Sequence, residues 1–415
     1  MILDYDGEAA GFRAEVRARL AENLPEDWPP PAGEQSPEDR AKFRQDWNEK
    51  LYAAGWICAS WPAEYGGRGL SQLESLILAE EFSRARAPLR ADWFGDTLVG
   101  PTILRWGTEE QKSTFIPKIL RGEISWCQGF SEPEAGSDQA RLRTSARLET
   151  GDEDGHWVIN GQKTWTTRAD EADYIFLLAR TEPDEPRHKG LSYLLVPMRQ
   201  PGVEVHPIEQ LDGAAGFSEV FFTGARAPAA AVLGGRGNGW TVAMTTLGLE
   251  RGVSSSMSHQ RFEKGAGRHH RPGPGARRHR GPADPGPPGP VVDEGPADQV
   301  RQPAALFDAL NGTHQADALR ATTNLWWSRT HQDTLDLAMD LLGPDGQVLT
   351  GDPAGEGSWI PGVGLRRGRA DYPASALQRA FLFSRSDTIG GGTSEIQLGI
   401  IAERVLKLPR ARAPP

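Results

Sequence analysis

The sequence predicts a chain that is mainly α with a central β-domain, arranged as a helical part, a β part and a second helical part. Three observations predict it. Apolar residues recur at helical spacing through residues 1–124, short β-rich runs fill 125–236, and helical spacing returns over 237–415. The 415 residues, 38% hydrophobic and 25% charged, can bury large cores and fill two or three domains.

Each element has a local reason. Phe12, Val16 and Leu20 recur every fourth residue, and Pro25, Pro29, Pro30 and Pro31 end that helix. A second helix is expected from Glu38 to Ala54, stopped by Gly55. A glycine-rich connection then leads to helical spacing through Leu73, Leu76 and Leu78 to Phe82. Thr108 is an N-cap candidate, with Gln111 three residues on to complete a capping box. The expected strands are Trp157–Ile159, Tyr174–Ala179, Leu191–Val196, Val203–His206 and Val220–Phe222. Helical spacing resumes near Gly237–Trp240 through Val242, Met244, Leu247 and Leu249. A further helix is expected over Asn324–Leu342, with Leu335, Ala338 and Leu342 on one face. The last runs through Ile396, Ile400, Ile401 and Val405 to Pro409.

Two motifs sit in the first half of the β part. Trp126 to Asp138 reads WCQGFSEPEAGSD. Pro133, Gly136 and the small hydroxyl residues argue against a helix or an uninterrupted strand there. They predict an ordered turn with accessible N–H groups, suited to a flat polar ring or an anionic cofactor. Asn160 to Thr167 reads NGQKTWTT, where Asn-Gly signals a hairpin turn. Each motif alone is compatible with a surface turn, and Trp165 alone with a core or hairpin tryptophan.

Taken together at this separation, the two motifs resemble the flavin-contacting loops of the acyl-CoA dehydrogenase family. The resemblance covers nearly the whole chain and implies an N-terminal helical domain, a small β-barrel-like domain and a C-terminal helical bundle. It implies FAD as cofactor and oxidation of an acyl-CoA thioester to the 2,3-enoyl-CoA, chemistry of lipid metabolism and fatty acid oxidation. Gln128, Gly129, Phe130 and Ser131 would line the flavin, Ser137 would sit between cofactor and acyl-CoA, and Trp165, Thr166 and Thr167 would cover the other side. Thr393 and Glu395 would meet the cofactor from the C-terminal part. Electron-transfer flavoprotein is the acceptor usual for the family, and a homo- or hetero-oligomer is expected.

The catalytic base departs from the commonest pattern. Many members place a Glu just before the Gly-Thr of a Tyr-Glu-Gly-Thr motif, where this chain has Gly391 before Gly392 and Thr393. A smaller branch, resembling isovaleryl- and long-chain acyl-CoA dehydrogenases, carries its base on the helix after the β-domain in a Leu-Glu-Arg motif. Leu249-Glu250-Arg251 matches it, which makes Glu250 the candidate base and Arg251 a substrate-binding candidate. On the residues alone, Glu250 and Arg251 fit an exposed pair on an amphipathic helix. Leu398 stands where the family has an Arg after Ile-Gln. Two other classes stay open: a non-catalytic partner subunit of a mixed assembly, and a DNA-associated relative of the fold.

The formal net charge of -10 argues against a general nucleic-acid binder. Cys58 and Cys127 provide neither a disulfide framework nor a metal cluster, which suits the cytoplasm. The acidic start lacks the plan of a signal peptide, and no apolar run has membrane-spanning length. One stretch fits none of this. From Gly265 to about Pro303 the sequence is dominated by Gly, Pro, Arg and Asp, too rich in proline for the long helices the family has there. A linker, a basic nucleic-acid arm and an out-of-frame segment are three readings of 265–303.

Overall fold

The computed structural model describes residues 7–26, 28, 37–85, 87–88, 94–150, 155–249, 316–347, 359–360, 364–365 and 375–409. Glu250, Arg251 and the stretch 265–303 lie outside the described residues. The chain divides into two compact units, one of Asp4–Glu209 with Ala215–Glu250, the other of Met1–Leu3, Gln210–Ala214 and Arg251–Pro415.

The first unit opens with helices α1 (Gly7–Asn23), α2 (Pro37–Ala53) and α3 (Gln72–Arg84). Phe12, Val16 and Leu20 are the buried residues of α1, as their spacing requires. The α3 residue Glu81 is buried and accepts from Arg17 Nε at 2.7 Å, while Arg13 pairs with Glu80. A π-helical turn, Gly95–Val99, leads into α4 (Gly100–Trp106), and α5 comes next (Glu109–Arg121). The capping box of α5 is present: Gln111 N donates to Thr108 Oγ1, and Thr108 N donates to Gln111 Oε1. Gln111 Nε2 also donates to the carbonyls of Ala230 and Val232 at 2.8 and 3.0 Å, joining the helix to the sheet. Thr108→Ala is therefore expected to cost about 1 kcal/mol. Gln111→Ala should cost more, because it also strips two carbonyls of their donor. Denaturant unfolding checks both, and equal losses would mean the Gln111 contacts to the sheet contribute nothing.

The sheet has eight strands: β1 (Trp126–Gly129), β2 (Ser145–Glu149), β3 (His156–Thr167), β4 (Tyr174–Arg180), β5 (Leu191–Pro197), β6 (Val203–Ile208), β7 (Phe217–Pro228) and β8 (Val232–Leu233). Their order is β6-β7-β3-β2-β4-β5-β8, with β1 parallel to β4. β4 and β5 are buried on both faces. Phe176, Leu178, Tyr193 and Leu195 join the core shared with the N-terminal helices, and Ile175, Leu177, Leu194 and Val196 join a second core. That is why these two strands read as continuous apolar runs.

The strands differ from expectation at three places. Trp126–Gly129 is a strand, because the breakers Pro133 and Gly136 lie beyond its last residue. Asn160–Gly161 is not a hairpin turn but lies inside β3, paired with β7. Its special geometry answers a bulge in the partner: Gly224 of β7 has φ +69°, and Asn160 Oδ1 accepts from Gly224 N at 2.9 Å. The short strands β2 and β8 have no apolar run to announce them.

Helix α6 is described over residues 239–249. In the second unit α7 is Ala316–Leu342, longer at its start than the expected Asn324–Leu342. Leu335 and Ala338 are buried, and Leu342, seven residues on from Leu335 along the same helical face, is 38% exposed at the last residue of the helix. Helix α8 (Ala376–Ser384) is an addition to the expected elements, although Ser375 and Gln378 form a capping box at its start. Helix α9 (Ser394–Ile400) continues into a π-helical turn, Ile401–Val405. Ile396 and Val405 are exposed there, and Ser394 and Gln397 are the buried residues.

Candidate functional site

The site begins with the phase of β3. Trp157, Ile159 and Lys163 are odd-numbered residues of one alternation, so Lys163 points where the two apolar residues point. It is 0% exposed. Between Lys163 and Thr166 the register with β7 slips: Lys163 faces Val220 and Thr166 faces Ser218. This bulge lets Lys163, Thr164 and Thr166 all be buried while Trp165 stands out, 57% exposed. Trp165 has φ +57°, a left-handed conformation that costs a non-glycine residue roughly 1–2 kcal/mol. Its ring meets Phe217 edge-on, with centroids 6.0 Å apart. Thr167 comes next, half-buried, as the last residue of the strand.

Across from this bulge lies the end of β1. Gln128 is half-buried. Gly129 has no room for a side chain, since a Cβ would come within 2.5 Å of Ile175 Cδ1. Phe130 turns inward and packs edge-on against Phe176 and Tyr193 at 5.8 and 5.9 Å, so only its main chain faces the second motif. Ser131 O accepts from Thr164 N at 3.0 Å, which brings the two motifs into contact. Ser137 lies further along, in an exposed turn where neighbouring Asp138 pairs with Arg187 at 2.6 Å.

The strongest link between the motifs was missed in the sequence. Lys163 Nζ lies 2.9 Å from Glu132 Oε1 and donates to Phe130 O at 3.1 Å. Glu132 also accepts from Arg143 N and Thr144 N at 2.6 and 2.8 Å. Burial opposes the Glu132 charge, but Lys163 and those two donors outweigh it and hold the carboxyl below its ordinary value. Burial pushes the Lys163 ammonium down to about 8 against the pull of Glu132. Both are therefore charged at neutral pH. The phase of β3 was the signal that could have exposed Lys163; nothing local marked Glu132 as its partner.

Two polar atoms beside this link have no partner. Gln128 Oε1 and Thr166 Oγ1 are buried and make no hydrogen bond. An unsatisfied buried acceptor or hydroxyl costs about 1–3 kcal/mol, so the arrangement suits a polar ligand that supplies the missing bonds.

Helix α6, described up to Leu249, is firmly anchored. Thr246 Oγ1 lies 3.0 Å from Thr102 Oγ1 and 3.3 Å from the Tyr193 hydroxyl, all buried, and Trp106 Nε1 donates to Thr245 Oγ1 at 3.1 Å. In the second unit Thr393 caps α9, accepting from Ile396 N at 3.3 Å. Glu395 is exposed in the first turn, where its own backbone N–H and the Thr393 hydroxyl hold its carboxyl below the ordinary value. Gly391 has φ +70°, favourable for glycine and strained for a glutamate.

Comparison with known proteins places the sequence in a family. The sequence matches the acyl-CoA dehydrogenase N-terminal domain over residues 7–123, the middle domain over 127–225 and the C-terminal domain over 300–406. The chain belongs to the acyl-CoA dehydrogenase family. It is an oxidoreductase of that family, whose members bind FAD. It is 43% identical to the acyl-CoA dehydrogenase IpdE1 of Mycolicibacterium smegmatis, covering 97% of this chain and 98% of that protein. Among solved structures, the Tcur3481-Tcur3483 steroid ACAD is similar with TM-score 0.71 and 28% identity, covering 99% of this chain and 100% of that one. The ChsE4-ChsE5 complex from Mycobacterium tuberculosis is similar with TM-score 0.68 and 26% identity, again covering 99% and 100%. No helix among the described residues is long and apolar enough to cross a membrane.

Proposed function

We propose that this chain oxidises an acyl-CoA thioester to its 2,3-enoyl-CoA with FAD, using Glu250 as the base. The observation that carries the flavin assignment is the paired orphans, Gln128 Oε1 and Thr166 Oγ1, beside the strained and exposed Trp165. Gln128, the main chain of Gly129–Ser131, and Trp165–Thr167 would hold the flavin. Ser137 would lie toward the acyl-CoA, and Thr393 and Glu395 would also serve the cofactor. Bound flavin supplies a hydride acceptor that no side chain provides. Glu250 takes the α-proton as the α,β double bond forms, and Arg251 helps hold the substrate.

Glycine at 391 supports the choice of base, because its left-handed backbone would strain a glutamate there by roughly 1–2 kcal/mol. The similarity to a steroid ACAD supports a bulky, steroid-derived acyl group as substrate, with electron-transfer flavoprotein as acceptor. The likeness to the ChsE4-ChsE5 complex supports assembly with a second acyl-CoA dehydrogenase chain. That same likeness supports the second reading, a subunit that binds flavin or CoA ester while its partner performs the chemistry.

The purified protein is expected to be yellow with bound FAD, and its flavin should bleach anaerobically with an acyl-CoA of the right shape. A well-folded oligomer without flavin absorbance after added FAD would overturn the assignment. Bound FAD with bleaching only after a partner chain is added would favour the second reading.

A further inference from the structure

The buried Glu132–Lys163 pair has no part in the reading above. Sheet stability does not account for it, since an apolar pair of similar volume commonly holds a core as well as a buried ion pair does. What charge adds is direction. Lys163 Nζ bonds Phe130 O at 3.1 Å and Glu132 Oε1 at 2.9 Å, and the carboxylate takes the N–H groups of Arg143 and Thr144 at 2.6 and 2.8 Å. The joint therefore fixes three chain segments: 130–132, 143–144 and the bulged end of β3. The unpartnered Gln128 Oε1 lies two residues before the first of these segments, and the unpartnered Thr166 Oγ1 lies on the last. Moving Lys163 would shift Thr166 through three bonded residues and release the carbonyl of Phe130 beside Ser131.

We propose that Glu132 and Lys163 are a positioning pair that sets the separation and orientation of the Gln128–Ser131 and Trp165–Thr167 segments for the flavin ring. This inference rests on reading those two segments as the flavin site.

The test separates stability from flavin alignment. Full-length protein is stripped of flavin, and wild type, Lys163→Met, Glu132→Gln and the double variant are compared by FAD titration, the visible spectrum of bound flavin and thermal unfolding of the apoprotein. Each single variant should raise the FAD Kd roughly 10- to 100-fold, the loss of one charge-assisted hydrogen bond's worth of alignment. Each should also shift the flavin absorbance. The double variant leaves no uncompensated charge, so its Tm should return toward wild type while its Kd stays raised about tenfold or more. A Kd that tracks Tm and returns in the double variant would show a structural pair only and overturn the proposal. So would single variants with wild-type Kd and spectrum. If the single variants do not fold, the double variant decides alone, by its Kd. Failure of the wild-type protein to bind FAD would instead overturn the flavin reading itself.

Discussion

Glu250→Gln is expected to retain FAD and acyl-CoA binding and to slow flavin reduction by roughly 10²–10⁴-fold. The amide keeps the size and polarity of the side chain but cannot take a proton at neutral pH. The α-proton beside a thioester is only weakly acidic, so the base needs a pKa raised by a partly desolvated site. Glu395, the nearest rival, has the opposite environment. It is exposed at the start of α9, and its own backbone N–H and the Thr393 hydroxyl lower its proton affinity. Anaerobic stopped-flow in the visible flavin band reads the rate directly. Near-normal bleaching by Glu250→Gln would place the base elsewhere, and Glu395→Gln would be the next variant.

Gly239→Ala should lower the rate of flavin reduction by about 10²-fold while FAD stays bound. Gly239 opens α6, the helix whose described part runs to Leu249, next to Glu250 in sequence. A Cβ at this position would lie 2.4 Å from Ser192 C, 2.5 Å from its Cα and 2.7 Å from its N. These are backbone atoms of β5 in a fully buried stretch, so α6 must move instead. A displacement of about 1 Å is enough to misalign a reacting carboxylate by that factor. Gly248→Ala is the control, since it sits in the same helix with open space around its Cβ and should change the rate little. Equal rates for wild type and Gly239→Ala, with FAD retained, would show that α6 does not position the base.

The sequence by itself determined the helical, β, helical order and the elements whose signal is local. Phe12, Val16 and Leu20 mark α1 because burial of one helical face repeats every third or fourth residue. Thr108 and Gln111 mark the start of α5 because a cap is written within four residues. The apolar runs of β4 and β5 are legible because both faces are buried. The two motifs were enough to suggest the family. Only the tertiary structure decided what depends on pairing with distant residues. Asn160-Gly161 carries a turn signal, yet β7 recruits it into a long strand and uses the Asn side chain to satisfy Gly224. Phe130 sits in the middle of the motif that resembles a flavin-contacting loop but is claimed by the core through Phe176 and Tyr193. Leu342 and Ile396 fit an apolar period, yet both stay exposed among the described residues. Lys163 and Glu132 stand 31 positions apart, so their bond is fixed only when β3 pairs with β7 and its bulge turns Trp165 outward. Helix periods, caps and apolar runs are short-range and can be read along the chain; bulges, orphaned polar atoms and ion pairs such as Lys163–Glu132 are fixed only where segments remote in sequence meet.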